Sequence, residues 1–179
     1  MLFSFIFEDK EQWVEQKKTY KIALTEDDFK QARILFKEYA DALGVDLSFQ
    51  DFEKELEIIN VQYNKPDGGL LIAHLGDHPV GCAGVRRFDE ETAELKRMYV
   101  KSESRGFRIG VELLKRSLIV AKELGYKKMR LDTLENMAKA QELYRSFGFY
   151  IIPSYRFNPL KGTIYMEKVL YAISKDLYI

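Results

Sequence analysis

The sequence predicts an α/β protein (α+β in some classifications) in which a mixed sheet carries helices on both faces. Two observations predict this class. Strand and helix patterns follow one another in the order β, α, α, β, β, β, α, β, α, β, β. In addition, the strand, loop, helix and strand between residues 93 and 133 should form a right-handed crossover that joins two parallel strands.

The first half of the chain begins with a short strand over residues 20–24 and two amphipathic helices. Thr25 to Asp28 has the pattern of a capping box, and apolar residues follow at helical spacing up to Gly44. Ser48 to Asp51 repeats the pattern before a second helix that reaches Ile59. Three strands then follow as an antiparallel meander, over residues 70–75, 80–87 and 93–100.

The second half of the chain starts with a polar loop, residues 102–110, that contains arginine and glycine. The elements predicted after it are a helix over 111–124, a strand over 128–133, a helix over 138–147 and two strands, 149–152 and 163–169. Gly125 and Gly148 are placed to end the two helices in the left-handed conformation.

Length and composition predict one domain, residues 19–179, after an N-terminal arm, residues 1–18. The chain has 179 residues, of which 46% are hydrophobic and 31% charged. Its 28 basic and 28 acidic residues leave no net charge, so the basic excess typical of nucleic-acid binders is missing. The single cysteine, Cys82, excludes an intramolecular disulfide and fits a reducing compartment, and with only two histidines a zinc site is not expected.

The N-terminal arm is apolar but does not have the pattern of a signal peptide. Its apolar run ends at Phe7 and is followed at once by charged residues, and no run in the chain approaches the ~20 apolar residues that cross a bilayer. We therefore expect a cytoplasmic protein without a membrane partner. The aromatic residues of the arm, including Phe3, Phe5 and Trp13, are a candidate contact for a homodimer.

The loop over residues 102–110 has the features of an anion site. It runs from a strand into the N-terminus of a helix, where free backbone amides and the helix dipole favour negative charge. Arg105 and Arg108 add two positive charges, and Gly106 and Gly110 allow the backbone to approach a ligand closely. The predicted ligand is a phosphate or pyrophosphate; a plain connecting loop with two solvated arginines is the alternative. The spacing matches neither a P-loop nor a dinucleotide-binding fingerprint.

The loop and its surroundings resemble the GNAT superfamily of acyl-CoA-dependent N-acetyltransferases. The superfamily's loop motif is Arg/Gln-x-x-Gly-x-Gly/Ala, and Arg105 and Gly110 fill its first and last positions. Downstream, Asn136, Ala140, Tyr144 and Gly148-Phe149 match a second signature of the family. The resemblance covers roughly residues 20–169 and implies a mixed, mostly antiparallel sheet of about seven strands.

The resemblance implies acetyl-CoA as co-substrate, no metal, and a specific set of contacts. The diphosphate of CoA should rest on the loop, and its pantetheine arm on a strand that separates from its neighbour after Thr133. The residues that should contact CoA are Met98, Tyr99, Val100, Arg105, Gly106, Phe107, Arg108, Ile109, Gly110 and Asn136. Main-chain groups near Met98 should also stabilise the developing oxyanion. Met98 and Val100 can pack in the core at the same time, and Asn136 can contact CoA, cap a helix, or do both.

One residue departs from the family's pattern. Arg108 stands where the loop motif has its middle glycine. Its guanidinium group can turn outward and hold a phosphate of CoA, or it can crowd the loop and weaken binding. We expect CoA to bind in either case, because Gly106 beside it keeps the loop backbone free to adapt.

Two side chains are the candidates for acid and base. Tyr144 matches the family's tyrosine near the CoA sulfur, where a phenol of ordinary pKa ~10 suits protonation of a thiolate; the alternative is a core aromatic. Glu94 lies where several family members carry a catalytic glutamate, and a solvated charge at a hairpin end is the alternative. Many relatives use waters and backbone carbonyls in place of such a side chain.

The predicted function is transfer of an acetyl group from acetyl-CoA to a primary amine by direct attack. A non-catalytic acyl-CoA sensor is the first alternative, and a protein-interaction module is the second. The sequence leaves open whether the amine is a small molecule or part of a peptide. The first two helices and residues 153–162, which should build the acceptor site, carry no decisive motif.

Overall fold

The computed structural model describes residues 17–45 and 47–170. Seven strands form one sheet in the spatial order β1-β2-β3-β4-β5-β7-β6. They are β1 (Lys18–Ile22), β2 (Gly69–Leu75), β3 (His78–Arg87), β4 (Thr92–Val100), β5 (Lys128–Leu134), β6 (Tyr150–Ile152) and β7 (Thr163–Val169). β4 and β5 are parallel, and the other neighbouring strands are antiparallel. The predicted mixed sheet is confirmed.

Five helices flank the sheet in the part of the chain that the structure describes. They are α1 (Glu26–Leu43), α2 (Phe52–Glu57), α3 (Ile59–Gln62), α4 (Ile109–Glu123) and α5 (Ala138–Ser146). On one face, α1 to α3 pack over alternate residues of β2 such as Leu70 and Ile72. On the other face, Leu113 and Leu118 of α4 pack with Leu71 and Ala73 of the same strand. Helices therefore cover both faces, as predicted, because β2 is apolar on both sides.

The first predicted capping box is present and the second is not. Asp28 N donates to Thr25 Oγ1 at 3.2 Å, and Asp28 Oδ2 accepts from Thr25 N at 3.0 Å. At Ser48, a 3₁₀ turn forms over residues 48–50, and Asp51 adopts a left-handed φ of 53° without a side-chain cap. The predicted second helix is also interrupted at Ile58, which has non-helical backbone angles and separates α2 from α3.

Element boundaries differ by a few residues. β1 begins at Lys18, two residues before the predicted start, so Lys18 belongs to the sheet although the predicted arm included it. β3 begins at His78, which pairs with Leu75, so the turn before it is shorter than predicted. α4 begins at Ile109, inside the predicted loop. Residues 1–16, with the aromatic residues proposed as a dimer contact, lie outside the described residues.

Candidate active site

A cleft opens where β4 and β5 separate. The two strands pair over only three residues, from Thr92 opposite Lys128 to Glu94 opposite Arg130. Beyond Glu94, no strand within residues 17–45 and 47–170 pairs with the edge of β4 that faces β5. The sequence predicted this separation but placed it after Thr133, and it begins at Arg130, three residues earlier. Met98 and Tyr144 line the cleft.

A β-bulge in β4 shapes one wall of this cleft. Cys82 of β3 lies opposite Tyr99 and Gly84 lies opposite Lys96, so β4 contains one extra residue between these pairs. Arg97, within the bulge, has a left-handed φ of 52°. Bulges re-aim side chains beside active sites, and here the consecutive side chains of Lys96 and Arg97 both turn towards the segment 48–57 that contains α2.

A buried ion pair holds the bulge. Arg97 donates to Glu55 of α2, with Nη2 at 2.6 Å from Oε2, and Tyr63 Oη also hydrogen-bonds to Glu55. Burial by itself would raise the pKa of Glu55, but the bonds from Arg97 and Tyr63 outweigh it and lower this pKa. The left-handed conformation of Arg97 is thus stabilised by a carboxylate that is held charged.

The N-terminus of α4 has the properties predicted for an anion site. Arg108 is the N-cap residue, and no side chain caps the first amides of the helix. Arg105 and Arg108 are exposed beside these amides. A Cβ added to Gly110 would lie 3.6 Å from Met98 Cε and 3.8 Å from Val100 Cγ2, so the missing side chain leaves space between the helix and β4. These residues fit a diphosphate ligand.

Arg108 adopts the conformation that the family's glycine would favour. Its φ is 60° and its ψ is 18°. This left-handed region is costly for residues other than glycine. The loop therefore reaches a left-handed conformation with an arginine at this position, and the arginine side chain is exposed.

The remaining residues that were predicted to contact CoA either anchor the loop or pack in the interior of the protein. Arg105 Nε donates to Val100 O at 3.2 Å, which ties the loop back onto β4. Ile109 is 2% exposed, and Phe107 packs against the same core. Tyr99 faces α1, where its ring lies 6.2 Å from that of Tyr39. For Phe107, Ile109 and Tyr99, contact with a ligand in the cleft would come through the main chain.

Tyr144 is both a core residue and part of the cleft wall. It is 8% exposed, packs edge-to-face on Phe149, and places its hydroxyl oxygen 4.0 Å from Met98 Sδ. Burial, reinforced by Tyr39 and Asp132, raises the pKa of Tyr144 well above its usual range. The two interpretations of this residue are compatible, and the phenol is protonated throughout the physiological range.

Glu94 is 1% exposed, which contradicts the interpretation as a solvated hairpin-end charge. One of its oxygens accepts from Arg86 Nε at 2.9 Å, and the other accepts from Tyr155 Oη at 2.9 Å and from Arg156. Both oxygens of the candidate base are therefore engaged before any substrate arrives.

Sequence reasoning missed the charged residues beside Glu94. Lys96 Nζ lies 3.2 Å from Asp132 Oδ1 and 3.1 Å from Gln50 Oε1, and Arg156 Nη2 lies 3.0 Å from the same Asp132 oxygen. Burial, together with the charges of Arg97 and Arg156, lowers the pKa of Lys96 to about 8 despite its acidic neighbours. The sequence did contain a signal for these residues, because charged and apolar residues alternate within β4 and β5. In the middle of a sheet that is covered on both faces, a charged strand face is rarely solvated.

Asn136 lies at a different edge of the cleft. It is exposed, and it lines an open recess that shares Leu134 and Leu160 with the cleft. Met137 is the N-cap of α5 and no side chain caps that helix, so the predicted capping role of Asn136 is wrong. Its predicted contact with CoA stays a prediction.

Residues 17–45 and 47–170 contain neither a group of metal ligands nor a membrane-spanning helix. Within these residues, no three His, Cys, Asp or Glu side chains are grouped closely enough to hold a metal ion. None of the helices described there combines the length and apolar character needed to span a bilayer.

The fold and the cleft define the class of protein. The sequence profile of the acetyltransferase (GNAT) family matches residues 32–149, and this chain belongs to that family. A relative from Schizosaccharomyces pombe, described as an uncharacterized N-acetyltransferase, is 40% identical over 144 residues, which cover 79% of this chain and 86% of the relative.

Solved structures agree with this fold. A GNAT-family acetyltransferase from Staphylococcus aureus superimposes with a TM-score of 0.70 at 21% identity, over 87% of this chain and 100% of the other. The Salmonella typhimurium protein yncA, solved with acetyl-CoA, superimposes with a TM-score of 0.61 at 19% identity, over 86% and 94% of the two chains. The chain is an acetyl-CoA-dependent acyltransferase.

Proposed function

We propose that this enzyme transfers the acetyl group of acetyl-CoA directly to a primary amine, without a covalent intermediate on the protein. The observation that carries the proposal is the separation of β4 from β5 after Glu94, beside the uncapped N-terminus of α4. An unpaired strand edge and free helix amides together offer main-chain groups to a long polar ligand.

The anion site and the strand edge have different roles in this proposal. The amides at the start of α4, with Arg105 and Arg108, hold the diphosphate of the donor. Main-chain groups of β4 from Met98 to Val100 hold its pantetheine arm and stabilise negative charge that develops on the thioester oxygen. When bound, acetyl-CoA supplies an activated acyl group with a thiolate as leaving group.

Tyr144 supplies the proton for that thiolate. Its hydroxyl group lies at the cleft wall, and its hydrogen-bond acceptor within the described part of the chain is Met98 Sδ, at 4.0 Å. A buried phenol with a raised pKa holds its proton until a strong base forms next to it. A thiol ordinarily has a lower pKa (~8.5) than a phenol (~10), so the transfer requires that the same burial also raises the pKa of the leaving thiol.

The amine loses its proton to a water molecule or through a backbone carbonyl, and Glu94 alone does not accept this proton. Glu94 would have to release a bond from Arg86, Tyr155 or Arg156 before it could accept this proton. We therefore propose that Glu94 organises the charged side chains of the acceptor side.

Calorimetric titration with acetyl-CoA, followed by turnover on a panel of amines, tests the proposal. We expect saturable binding and acetylation of at least one amine. The absence of heat and of any thermal shift at millimolar acetyl-CoA would contradict it. Binding of acetyl-CoA with no acetylation of any amine would instead favour the non-catalytic sensor. Membership of an enzyme family makes the sensor the weaker alternative.

A further inference from the structure

Five charged side chains form one network on the acceptor side of the cleft. This acceptor-side cluster consists of Arg86, Glu94, Lys96, Asp132 and Arg156, which come from three strands and from the segment between β6 and β7. Glu94 joins Arg86 to Arg156, and Asp132 joins Arg156 to Lys96. The network is largely buried: the side chains of Glu94 and Lys96 are 1% and 4% exposed.

The acceptor-side cluster holds more positive than negative charge. Three cations face two carboxylates, and the neighbouring pair of Arg97 and Glu55 is balanced within itself. A buried charge without a partner is costly, and ionised groups in proteins are normally paired. Burial is the main cause that lowers the pKa of Lys96; the charges of Arg97 and Arg156 act in the same direction, and those of Glu94 and Asp132 act against it. One further anion would balance the network.

Two of the cations are accessible from solvent next to the cleft. Arg86 and Arg156, with side chains 17% and 25% exposed, line an open recess together with Gln50 and the exposed Lys54. Two carboxylates also line it, namely Asp51, which is exposed, and Glu55, whose charge is paired with Arg97. Gln50 also lines the cleft itself, with Lys96, Asp132 and Tyr144. The recess and the cleft are therefore adjacent, with Gln50 between them.

We propose that the recess binds the carboxylate of the acceptor, so that the enzyme acetylates small amines that also carry a carboxylate group. This inference rests on the proposed N-acetyltransferase function. The guanidinium groups of Arg86 and Arg156 bind the carboxylate, for which their planar donor pattern is suited. Lys54 at the rim adds long-range attraction for the carboxylate.

Matched pairs of amines test this inference. The probes are phenylalanine against phenethylamine and alanine against ethylamine, each at saturating acetyl-CoA. We expect kcat/KM to be at least tenfold higher for the carboxylated member of each pair. This preference should decrease severalfold in Arg86→Gln, mainly through a higher KM. Arg87→Gln is the control, because Arg87 is the next residue on β3, is half-exposed, and pairs only weakly with Asp67 at 3.6 Å.

A second variant covers the case in which Arg86→Gln does not fold. Lys54 is exposed, so Lys54→Gln should fold and lower the preference about twofold to threefold, with a weaker salt dependence. Equal kcat/KM for both members of each pair, or a preference that neither variant changes, would overturn the inference while the proposed function stands. Turnover on no amine would contradict the proposed function itself.

Discussion

At the scale of single residues, Arg108 contributes in two separate ways. Its backbone conformation shapes the loop, and its side chain adds a positive charge. Arg108 keeps a left-handed φ of 60°, so the loop shape does not require glycine there. What the substitution changes is charge, since an exposed guanidinium group stands at a helix N-terminus that already favours anions. Of the two effects considered from sequence, we propose that the exposed side chain supports a phosphate rather than crowds the loop.

Arg108→Gly tests this directly. We expect the dissociation constant of acetyl-CoA to rise about threefold to tenfold, with a weaker salt dependence, because one charge near the diphosphate is lost. Calorimetry at several salt concentrations measures the change. Arg108→Lys, which retains the charge, is the control. Tighter binding by the glycine variant would show that the arginine crowds the loop.

Tyr144→Phe removes a hydroxyl group whose one hydrogen-bond partner among residues 17–45 and 47–170 is Met98 Sδ, at 4.0 Å. We expect kcat to fall about 100-fold, because general acid catalysis contributes roughly 10²–10⁴. The dissociation constant of acetyl-CoA and the melting temperature should change little. Tyr126→Phe, which loses a bond to Asp67 O far from the cleft, is the control. Full activity of Tyr144→Phe would exclude the proposed role.

At the scale of elements, the two predicted capping boxes show what a local pattern decides. Around α1 the chain enters from the adjacent strand, and Lys21 of β1 pairs with Asp28 at 2.6 Å. Around α2, Phe52 and Glu55 must reach the core and Arg97, and the 3₁₀ turn with Asp51 in a left-handed conformation orients the short helix for these contacts. The capping pattern is local, whereas the contacts that override it are tertiary.

Asp28→Ala should lower the free energy of unfolding by about 1–2 kcal/mol at pH 7. Burial favours the protonated form of Asp28, but hydrogen bonds from Leu24, Lys21 and Thr25 outweigh it and lower the pKa of Asp28. A carboxyl group with a depressed folded pKa stabilises above its unfolded pKa of ~4 and loses this effect as the pH falls. The difference between wild type and variant should therefore shrink from pH 5 towards pH 2.

Urea unfolding at several pH values measures this difference. Asp27→Ala is the matched control, because Asp27 is in the same helical turn, its side chain is 83% exposed, and it pairs only with Lys30. We expect this variant to stay within about 0.5 kcal/mol of wild type at every pH. Equal losses in the two variants would contradict the assignment of the cap to Asp28.

At the scale of the whole molecule, the buried charges connect elements that are distant in sequence. The bonds of Lys96 join β4 to Gln50 before α2 and to Asp132 of β5. The same side chains form the wall of the cleft, so the acceptor side is built from the interior of the fold rather than from one loop. Global stability and the charge state of the site are thereby coupled.

Lys96→Met should change how stability depends on pH. The pKa of Lys96 is lowered to about 8 by burial, against ~10.4 in the unfolded chain. Between these values the unfolded chain binds more protons, so the free energy of unfolding attributable to Lys96 rises with pH. Relative to Lys96→Met, wild type should gain about 1–3 kcal/mol between pH 8 and pH 10. Parallel stability curves would show that Lys96 titrates normally.

The sequence by itself determined the order of the elements, the mixed sheet, the candidate loop at the start of α4 and the family. These depend on local periodicity, turn residues and a loop motif whose members are close in sequence, such as Arg105 and Gly110. Tertiary structure alone decided the bulge at Arg97, the early separation of β4 from β5, and the cluster around Asp132. A buried ion pair depends on partners such as Glu55 and Arg97 that are 42 residues apart, and no local pattern specifies that they meet.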